Sequence, residues 1–534
     1  MDSSLVGDRA IALSFCENEA SHTVSRVRAV VDALLTQALP EVEDIVPSAG
    51  RVTVAIAPMM SRDMQALREK VLAVASEAAV QNAPTAATHE IEVSYNGSDI
   101  DDVCRYHRIS REYLISLHAD ADYLVESIGF LPGFGYLKGL PKKLWTPRRA
   151  NPRTHVPAGA VGIGGGHTGV YPFESPGGWN LIGHSAVKLF DVRRSKPSTF
   201  EVGDHVRFTE VHEIDQKKPV PTPSNPRPAV TGTITVVQPG LFTTVQDLGR
   251  HGYRREGVPL SGAADHVSMR LANLFVGNPV DAAVLECTVL GPTLRFEHDA
   301  AIVVVGAEFP GLPHGQVVHV SAGTQVTMGH SKTGCRGYLA IAGGIDVPVV
   351  LSSRSTLAVA GLGGFHGRAL KAGDCLSTLP PSGRHRLIGR VPETLMTSKA
   401  PRVLRVIPHA DTACDISGIW NQVFHGSSRS NRMGLRLEGK PVLCNEEEGL
   451  LPSTAVFPGT IQLPPDGNPI ILLADAQTTG GYPVVGTVIH ADVPLAAQVR
   501  PGDEIRLEPT TIDEAYEALQ HCEDLFQNLR RGLS

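Results

Sequence analysis

The sequence predicts a mostly β protein with an α+β N-terminal part, organised as two protein-sized units. Three observations carry this. Helical apolar periodicity is concentrated in residues 21–79, short β-branched runs punctuated by Gly and Pro follow Tyr123, and a proline-rich segment divides the chain. At 534 residues the chain is too long for a single core, because cores stop growing near roughly 250–300 residues.

In residues 21–39 the positions Val24, Val27, Val30, Val31, Leu34 and Leu35 recur at helical spacing, and residues 62–79 repeat the pattern with Met64, Leu67, Val71 and Leu72. Residues 51–57 and 91–95 alternate like strands, so residues 1–95 are expected to form helices on a small sheet. Beyond Tyr123 few stretches look able to carry a helix longer than two turns, which is the texture of a barrel. Residues 96–212 are read as that barrel. Prolines crowd residues 217–228 and cannot pair inside a sheet, so residues 213–230 are expected to be an exposed linker and residues 231–534 a second unit.

The two units look like copies. VPAG at 156–159, HTGVYP at 167–172 and GDHVRF at 203–208 return in order as VFPG at 456–459, QTTGGYP at 477–483 and GDEIRL at 502–507.

The formal net charge is −7, and no basic stripe of the kind nucleic-acid binding needs is present, so no nucleic-acid partner is expected. Neither a signal peptide nor a membrane span is read from the sequence, and eight scattered cysteines without metal spacing fit reduced thiols in a cytoplasm; no metal site is expected. GGGHTG at 164–169 has the spacing of a dinucleotide fingerprint, yet Val-Tyr-Pro follows where a helix is required, so it is rejected. Walker A, HExxH and GxSxG are absent.

Two regions concentrate chemistry. GFLPGFGYLKGLP at 129–141 reads as a rigid pocket wall or as tight barrel corners, and Arg148, Arg149 and Arg153 beside it suit anions. In the second unit Asp247, Ser261, Asp265, Glu286, Arg432, Asp475 and Gln477 sit in apolar, Gly-rich surroundings, where charges are costly unless paired or used.

These strings carry a resemblance. GFLPGFGYLKGLP, PRRANPR, VPAGAVGI, HTGVYP and SPGGWNLIGHS, within residues 129–185, resemble the Kip-inhibitor family, which includes the B-type subunit of 5-oxoprolinase. PGLFTTVQDLGRHGY, SGAAD, AGGIDVP, SSRST, NRMGLRLEG and DAQTTGGYP, within residues 239–503, are similar to the Kip-antagonist family, which includes the C-type subunit of that enzyme. The chain departs from the usual pattern at His167, where Gln is common, and at Ala264, where Met is common.

The resemblance implies tandem cyclophilin-like β-barrel domains, two of them in the second unit. It implies an enzyme component that opens 5-oxo-L-proline to L-glutamate together with a separate A-type subunit, using ATP, shared with that partner, and its Mg. Asp475, Gln477 and His167 are then the expected reacting groups. Arg148, Arg149, Arg153, Tyr171, Asp247, Asp265 and Arg432 are the expected contacts to substrate or phosphate. The same pair forms the carboxyltransferase region of urea carboxylase, so a urea-type carboxyltransferase is the alternative, with biotin carried on another protein. A Kip-type regulator of a histidine kinase is the third reading, and a homo-oligomer is compatible with all three.

Overall fold

The computed structural model describes residues 1–15, 20–48, 50–58, 63–79, 84–214, 233–381, 391, 402–409, 414, 416–442, 444 and 453–533. The expected linker falls almost wholly outside the described residues.

The N-terminal layer is an antiparallel sheet in the order Asp2–Val6, Ala10–Ser14, Arg51–Ile56, Val42–Ser48. Helices Ala20–Gln37 and Met64–Glu77 cover it, as the periodicity predicts. Val27, Val30, Leu34, Leu67 and Val71 bury their side chains against Ile11, Leu13, Val52 and Val54. Asp63 caps the second helix by accepting the Ala66 N–H at 2.9 Å, satisfying a donor the helix leaves open.

A seven-stranded sheet follows, in the order Asn180–His184, Ala160–Gly164, His167–Val170, Gly135–Lys138, Tyr123–Ile128, His205–Glu210, Thr88–Val93. Thr88–Val93, read from sequence with the first layer, hydrogen-bonds here, parallel to His205–Glu210. Helices Ile100–His107 and Arg111–Ala119, which the periodicity did not reveal, pack against Asn180–His184 and His205–Glu210 in turn.

The second unit has two five-stranded sheets and a closed barrel. One sheet runs Gln325–His330, Leu290–Phe296, Thr233–Gln238, Cys375–Thr378, Ile345–Asp346, and the other Phe242–Gln246, Val284–Thr288, Thr333–Ile341, Ala300–Glu308, Val318–Val320. Arg402–Pro408, Val484–Val488, Thr460–Gln462, Ile470–Leu472, Gly434–Glu438, Phe424–Gly426 and Glu504–Pro509 close the barrel.

The internal copies have matching geometry. Each Gly-Asp turn is held by its own aspartate, Asp204 accepting the Glu201 N–H and Asp503 the Arg500 N–H, both at 2.9 Å. The strand after each turn pairs in parallel with the strand that opens its module, Thr88–Val93 in one and Arg402–Pro408 in the other.

Two expectations are corrected. Helices do occur late in the chain: His266–Phe275 lies on the second five-stranded sheet, and Ile512–Leu533 follows the barrel with Ala515, Leu519 and Phe526 buried. Cys414 and Cys444 form a disulfide, against the reduced-thiol reading. They face each other across an antiparallel bridge with Cα atoms 4.4 Å apart, a proximity made by the barrel and invisible in a separation of 30 residues. Among the described residues no helix is long and apolar enough to cross a membrane.

Candidate functional site

The halves meet through side chains as well as backbone. Gly133 N donates to Glu256 O at 2.8 Å, and Asp44 accepts the N–H groups of Gly252 and Arg254 at 3.0 and 3.2 Å. Gly129 touches Thr479 so closely that a Cβ there would collide with the threonine hydroxyl. The Gly-Pro stretch is therefore a joint between units on one side, and on the other an aromatic cluster of Phe134, Tyr171 and Trp179.

Beside this joint lies a cavity of about 420 Å³. Its walls come from the N-terminal sheet (Asp8, Arg9, Glu43, Asp44), from residues 248–270, from the closing barrel (Phe457, His490) and from the C-terminal helix (Cys522, Glu523). Most of the lining is apolar, with a few convergent polar groups, the character of a small-molecule site.

The polar groups are organised. The rings of His266 and His490 stack at 4.7 Å with planes 11° apart. Burial holds both imidazoles neutral, pushing His266 down to about 3 and His490 well below its ordinary value. Arg9 contacts His490 Nδ1 at 3.2 Å and forms an ion pair with Glu43, which also meets His251. Burial raises the Glu43 carboxyl, but Arg9 and His251 outweigh it and hold it at about 2. Burial pushes Asp44 up to about 6 despite Arg254 nearby. Arg254 is itself buried, with its guanidinium 4.5 Å over the Phe457 ring and donating to Val456 O.

Ser261 is the unusual member. It is buried, adopts φ +53°, and its Oγ has no hydrogen-bond partner among the described residues. A non-glycine residue held in the left-handed region carries strain that its surroundings must impose. Gly262 beside it has φ +79°, and a Cβ there would lie 2.7 Å from Gly249 N.

The sequence-predicted residues do not line this cavity; several build the wall behind it. Arg432 forks onto Asp475 (2.8 and 3.0 Å), pairs with Glu286 and donates to Gly262 O at 2.6 Å. Glu286 accepts the Ala264 N–H at 3.0 Å and the Tyr338 hydroxyl at 2.9 Å. Burial raises the Glu286 carboxyl, but Arg432 and Arg336 outweigh it and keep it low. Asp265 caps the helix beginning at His266 through Ser268 N at 2.8 Å, and Gln498 fixes its other oxygen at 2.7 Å. Asp247 accepts the N–H groups of Gly249 (2.9 Å) and Arg354 and the Ser353 hydroxyl (2.7 Å). Asp475, Asp265, Asp247 and Arg432 thus hold the segment 261–265 from behind this cavity, and Arg432 and Asp475 also line a second cavity of about 400 Å³.

The other predicted residues lie elsewhere. Arg149 and Arg153 turn onto Asp99 at 3.0 and 2.5 Å, so their charge is engaged within the first unit. His167 meets Glu126 at 2.8 Å, beside Lys138, on the sheet surface. Tyr171 is a core side chain whose hydroxyl burial pushes up to about 12. Arg148 is exposed and has no ion pair among the described residues, and Gln477 donates to Gln462 at 3.3 Å. Sequence reasoning missed His266, His490, Arg254 and Asp44. The segment SGAAD was noticed, but its aspartate was chosen over its serine. Ala264, where the resemblance expects Met, lines the cavity.

Comparison with known proteins agrees with this two-unit construction. The family described as carboxyltransferase domain, subdomain C and D, matches residues 1–200, and carboxyltransferase domain, subdomain A and B, matches residues 256–509. The C-type subunit of 5-oxoprolinase from Escherichia coli K12 is 36% identical over 306 residues, covering 55% of this chain and 97% of that protein. The B-type subunit of 5-oxoprolinase from Escherichia coli O157:H7 is 36% identical over 212 residues, covering 39% of this chain and 95% of that protein. The urea amidolyase of Saccharomyces cerevisiae is 32% identical over 320 residues, covering 55% of this chain but 17% of that much longer protein. The crystal structure of TTHA0988 superposes with a TM-score of 0.79 at 33% identity, covering 94% of this chain and all of that one. The chain belongs to the carboxyltransferase-domain family, and joins in one polypeptide two units, related in turn to the B-type and C-type subunits of 5-oxoprolinase.

Proposed function

We propose that the chain is the fused B and C component of an ATP-dependent 5-oxoprolinase that opens 5-oxo-L-proline to L-glutamate together with a separate A-type subunit. The observation that carries this reading is that relatives of both kinds match almost end to end on successive parts of one chain. The cavity at the joint, walled by both parts, gives such a fusion a chemical reason.

A five-membered amide is resonance-stabilised, so its carbonyl is a poor electrophile and ring opening needs activation; coupling to ATP supplies it. No Walker-type phosphate loop is present in the sequence, and Asp8, Glu43, Asp44 and Glu523 line the junction cavity beside Arg9, Arg254 and Arg270. ATP is therefore assigned to the A-type subunit, and this chain's residues bind and orient the amide for attack by water on its activated carbonyl carbon, the ring nitrogen leaving as the amine of L-glutamate. The second reading, a carboxyltransferase acting on urea with a biotinylated partner, has the similarity to urea amidolyase behind it.

Purified chain is expected to show little 5-oxo-L-proline-dependent ATP hydrolysis alone and to gain it when mixed with an A-type 5-oxoprolinase subunit. Robust turnover by the isolated chain, or a requirement for a biotinylated partner, contradicts the proposal.

A further inference from the structure

We infer that the carboxylate of 5-oxo-L-proline binds where the aromatic face of the first unit meets the loop 477–483 of the second, on Arg148 and the Tyr136 hydroxyl, an inference that rests on the 5-oxoprolinase reading. The ligand class is a small ring bearing one carboxylate.

Three segments converge there. Tyr136 lies in the strand Gly135–Lys138, opposite Ser127. The residues that follow Ser127 touch the second unit: Ile128 O accepts the Thr478 hydroxyl at 3.4 Å, and Gly129 abuts Thr479. The loop carrying Tyr482 is thereby brought beside Tyr136, close enough for each phenol to act on the other's ionisation. Arg148 arrives from another side. Asn180 Nδ2 donates to Pro147 O at 2.9 Å and Arg149 N–H to Gly178 O at 2.8 Å, so the chain around Arg148 is pinned along Trp179. The Trp179 ring lies 5.8 Å from that of Tyr136. Val359 of the second unit packs against this aromatic cluster and also lines the second cavity, so open space adjoins the aromatic face.

Two donors stand open at this place. The Tyr136 ring is half-buried beside Phe134, Trp179 and His167, and burial pushes its hydroxyl up to about 12, so it keeps its proton. That hydroxyl makes no hydrogen bond to a described residue, and unlike the Ser261 hydroxyl it is not closed off from the surface. Arg148 is exposed and has no ion pair among the described residues. The charges around it leave it uncompensated: Glu126 is matched by Lys138 at 2.7 Å and meets His167 at 2.8 Å, while Asp99 is taken by Arg149 and Arg153. The cations of the junction cavity are engaged by contrast, Arg9 by Glu43, Arg270 by Glu523 and Arg254 by Val456 O.

Backbone strain marks the same face. Phe130, half-buried against the aromatic cluster, is held at φ +65°, where a bulky side chain is rarely found. Gly133 N–H to Glu256 O at 2.8 Å and Phe134 N–H to Leu131 O at 3.0 Å brace that turn. Strain of this kind collects at ligand clamps.

A carboxylate accepts from a guanidinium and a hydroxyl together, and such charge-assisted hydrogen bonds are the strong ones. One uncompensated cation suits a single negative charge and not a polyphosphate. The rings of Phe130 and Tyr136 offer an apolar side to a five-membered ring. 2-Pyrrolidinone, the same lactam without the carboxylate, isolates the contribution of the two donors.

Two measurements on the full chain test this. The first is isothermal titration calorimetry with 5-oxo-L-proline and with 2-pyrrolidinone. Arg148→Ala is expected to weaken 5-oxo-L-proline binding about tenfold or more and Tyr136→Phe about fivefold, each the effect of a lost hydrogen bond to a charged group, with the melting temperature unchanged. 2-Pyrrolidinone is expected to bind the wild-type chain and both variants alike, about as weakly as 5-oxo-L-proline binds Arg148→Ala. The second is steady-state ATP hydrolysis with the A-type subunit, in which KM for 5-oxo-L-proline rises by the same factors and KM for ATP stays the same. Turnover with unchanged affinity and KM in both variants, or equal binding of the two lactams by the wild-type chain, overturns the carboxylate site and leaves the 5-oxoprolinase reading standing. Binding of 5-oxo-L-proline that Arg148→Ala weakens, with no turnover under any condition, supports the site and overturns that reading. Neither binding nor turnover overturns both.

Discussion

At the scale of single residues, burial and partners decide which polar groups position and which act. Asp475 emerges from an apolar strand, and from sequence that placement reads equally as a reacting carboxylate or a paired one. The structure shows the bidentate pair with Arg432, both side chains 10% exposed or less. Removing one charge of such a pair leaves the other buried and unbalanced. Asp475→Asn is therefore expected to destabilise the chain by about 3 kcal/mol in denaturant unfolding, with Glu286 retaining part of the Arg432 charge. Unchanged stability with lost activity shows instead that Asp475 contacts substrate.

The imidazole pair makes a pH prediction of definite sign. His266 has a folded-state value near 3, below its ordinary 6.5, so between those values the unfolded chain binds more protons. Its contribution to stability is present above 6.5 and is lost as pH falls. Asp44 runs the other way. Raised to about 6 from 3.8, it binds more protons when folded, and stability falls as pH rises through that window. Burial also raises the Asp8 carboxyl, which runs with Asp44, so the two carboxyls offset part of the loss that the two imidazoles impose on acidification from about pH 6 to about pH 4. His266→Asn is expected to shallow that loss, and Asp44→Asn to steepen it, in thermal melts across the range. A melting temperature with the same acid dependence in both variants contradicts the neutral-pair description.

At the scale of elements, the helices of residues 20–37 and 64–77 were legible because one apolar stripe faces one sheet, the arrangement that produces periodicity. The C-terminal helix was not legible: its buried positions are sparse and its acidic first turn resembles a solvated tail. It nevertheless closes the cavity with Leu519, Cys522 and Glu523, and Tyr516 donates to Asp8 O at 2.9 Å. The segment 261–265 is the other decisive element. Its motif was visible, but φ of Ser261 and the burial of its hydroxyl without a hydrogen-bond partner among the described residues are properties of the folded chain alone. Gly262→Ala is expected to cost about 1–3 kcal/mol, since both its φ and the approach to Gly249 N exclude a Cβ. Circular dichroism melts check this, and a wild-type melting temperature counts against the close packing of these loops.

At the scale of the whole molecule, duplication was readable because Gly-Asp turns and their strands recur in fixed order, and the two parallel pairings repeat that order in space. The cavity was not readable. His266 and His490, or Asp44 and Arg254, are far apart in sequence, and only the docking of one unit on the other brings them together. That docking leads to a prediction: a chain cut within residues 217–228 is expected to yield halves that co-elute, held by the Asp44, Gly133 and Thr478 contacts across the joint. Halves that elute separately at micromolar concentration contradict the shared cavity as a stable feature.

The central claim is the reaction. The chain, mixed with an A-type 5-oxoprolinase subunit in the presence of ATP-Mg, is offered 5-oxo-L-proline or urea in parallel, and L-glutamate and ADP are measured. L-glutamate is expected to form in step with ADP from 5-oxo-L-proline, with no ADP formation above background with urea. ADP formation that responds to urea, or ATP hydrolysis without L-glutamate, contradicts it.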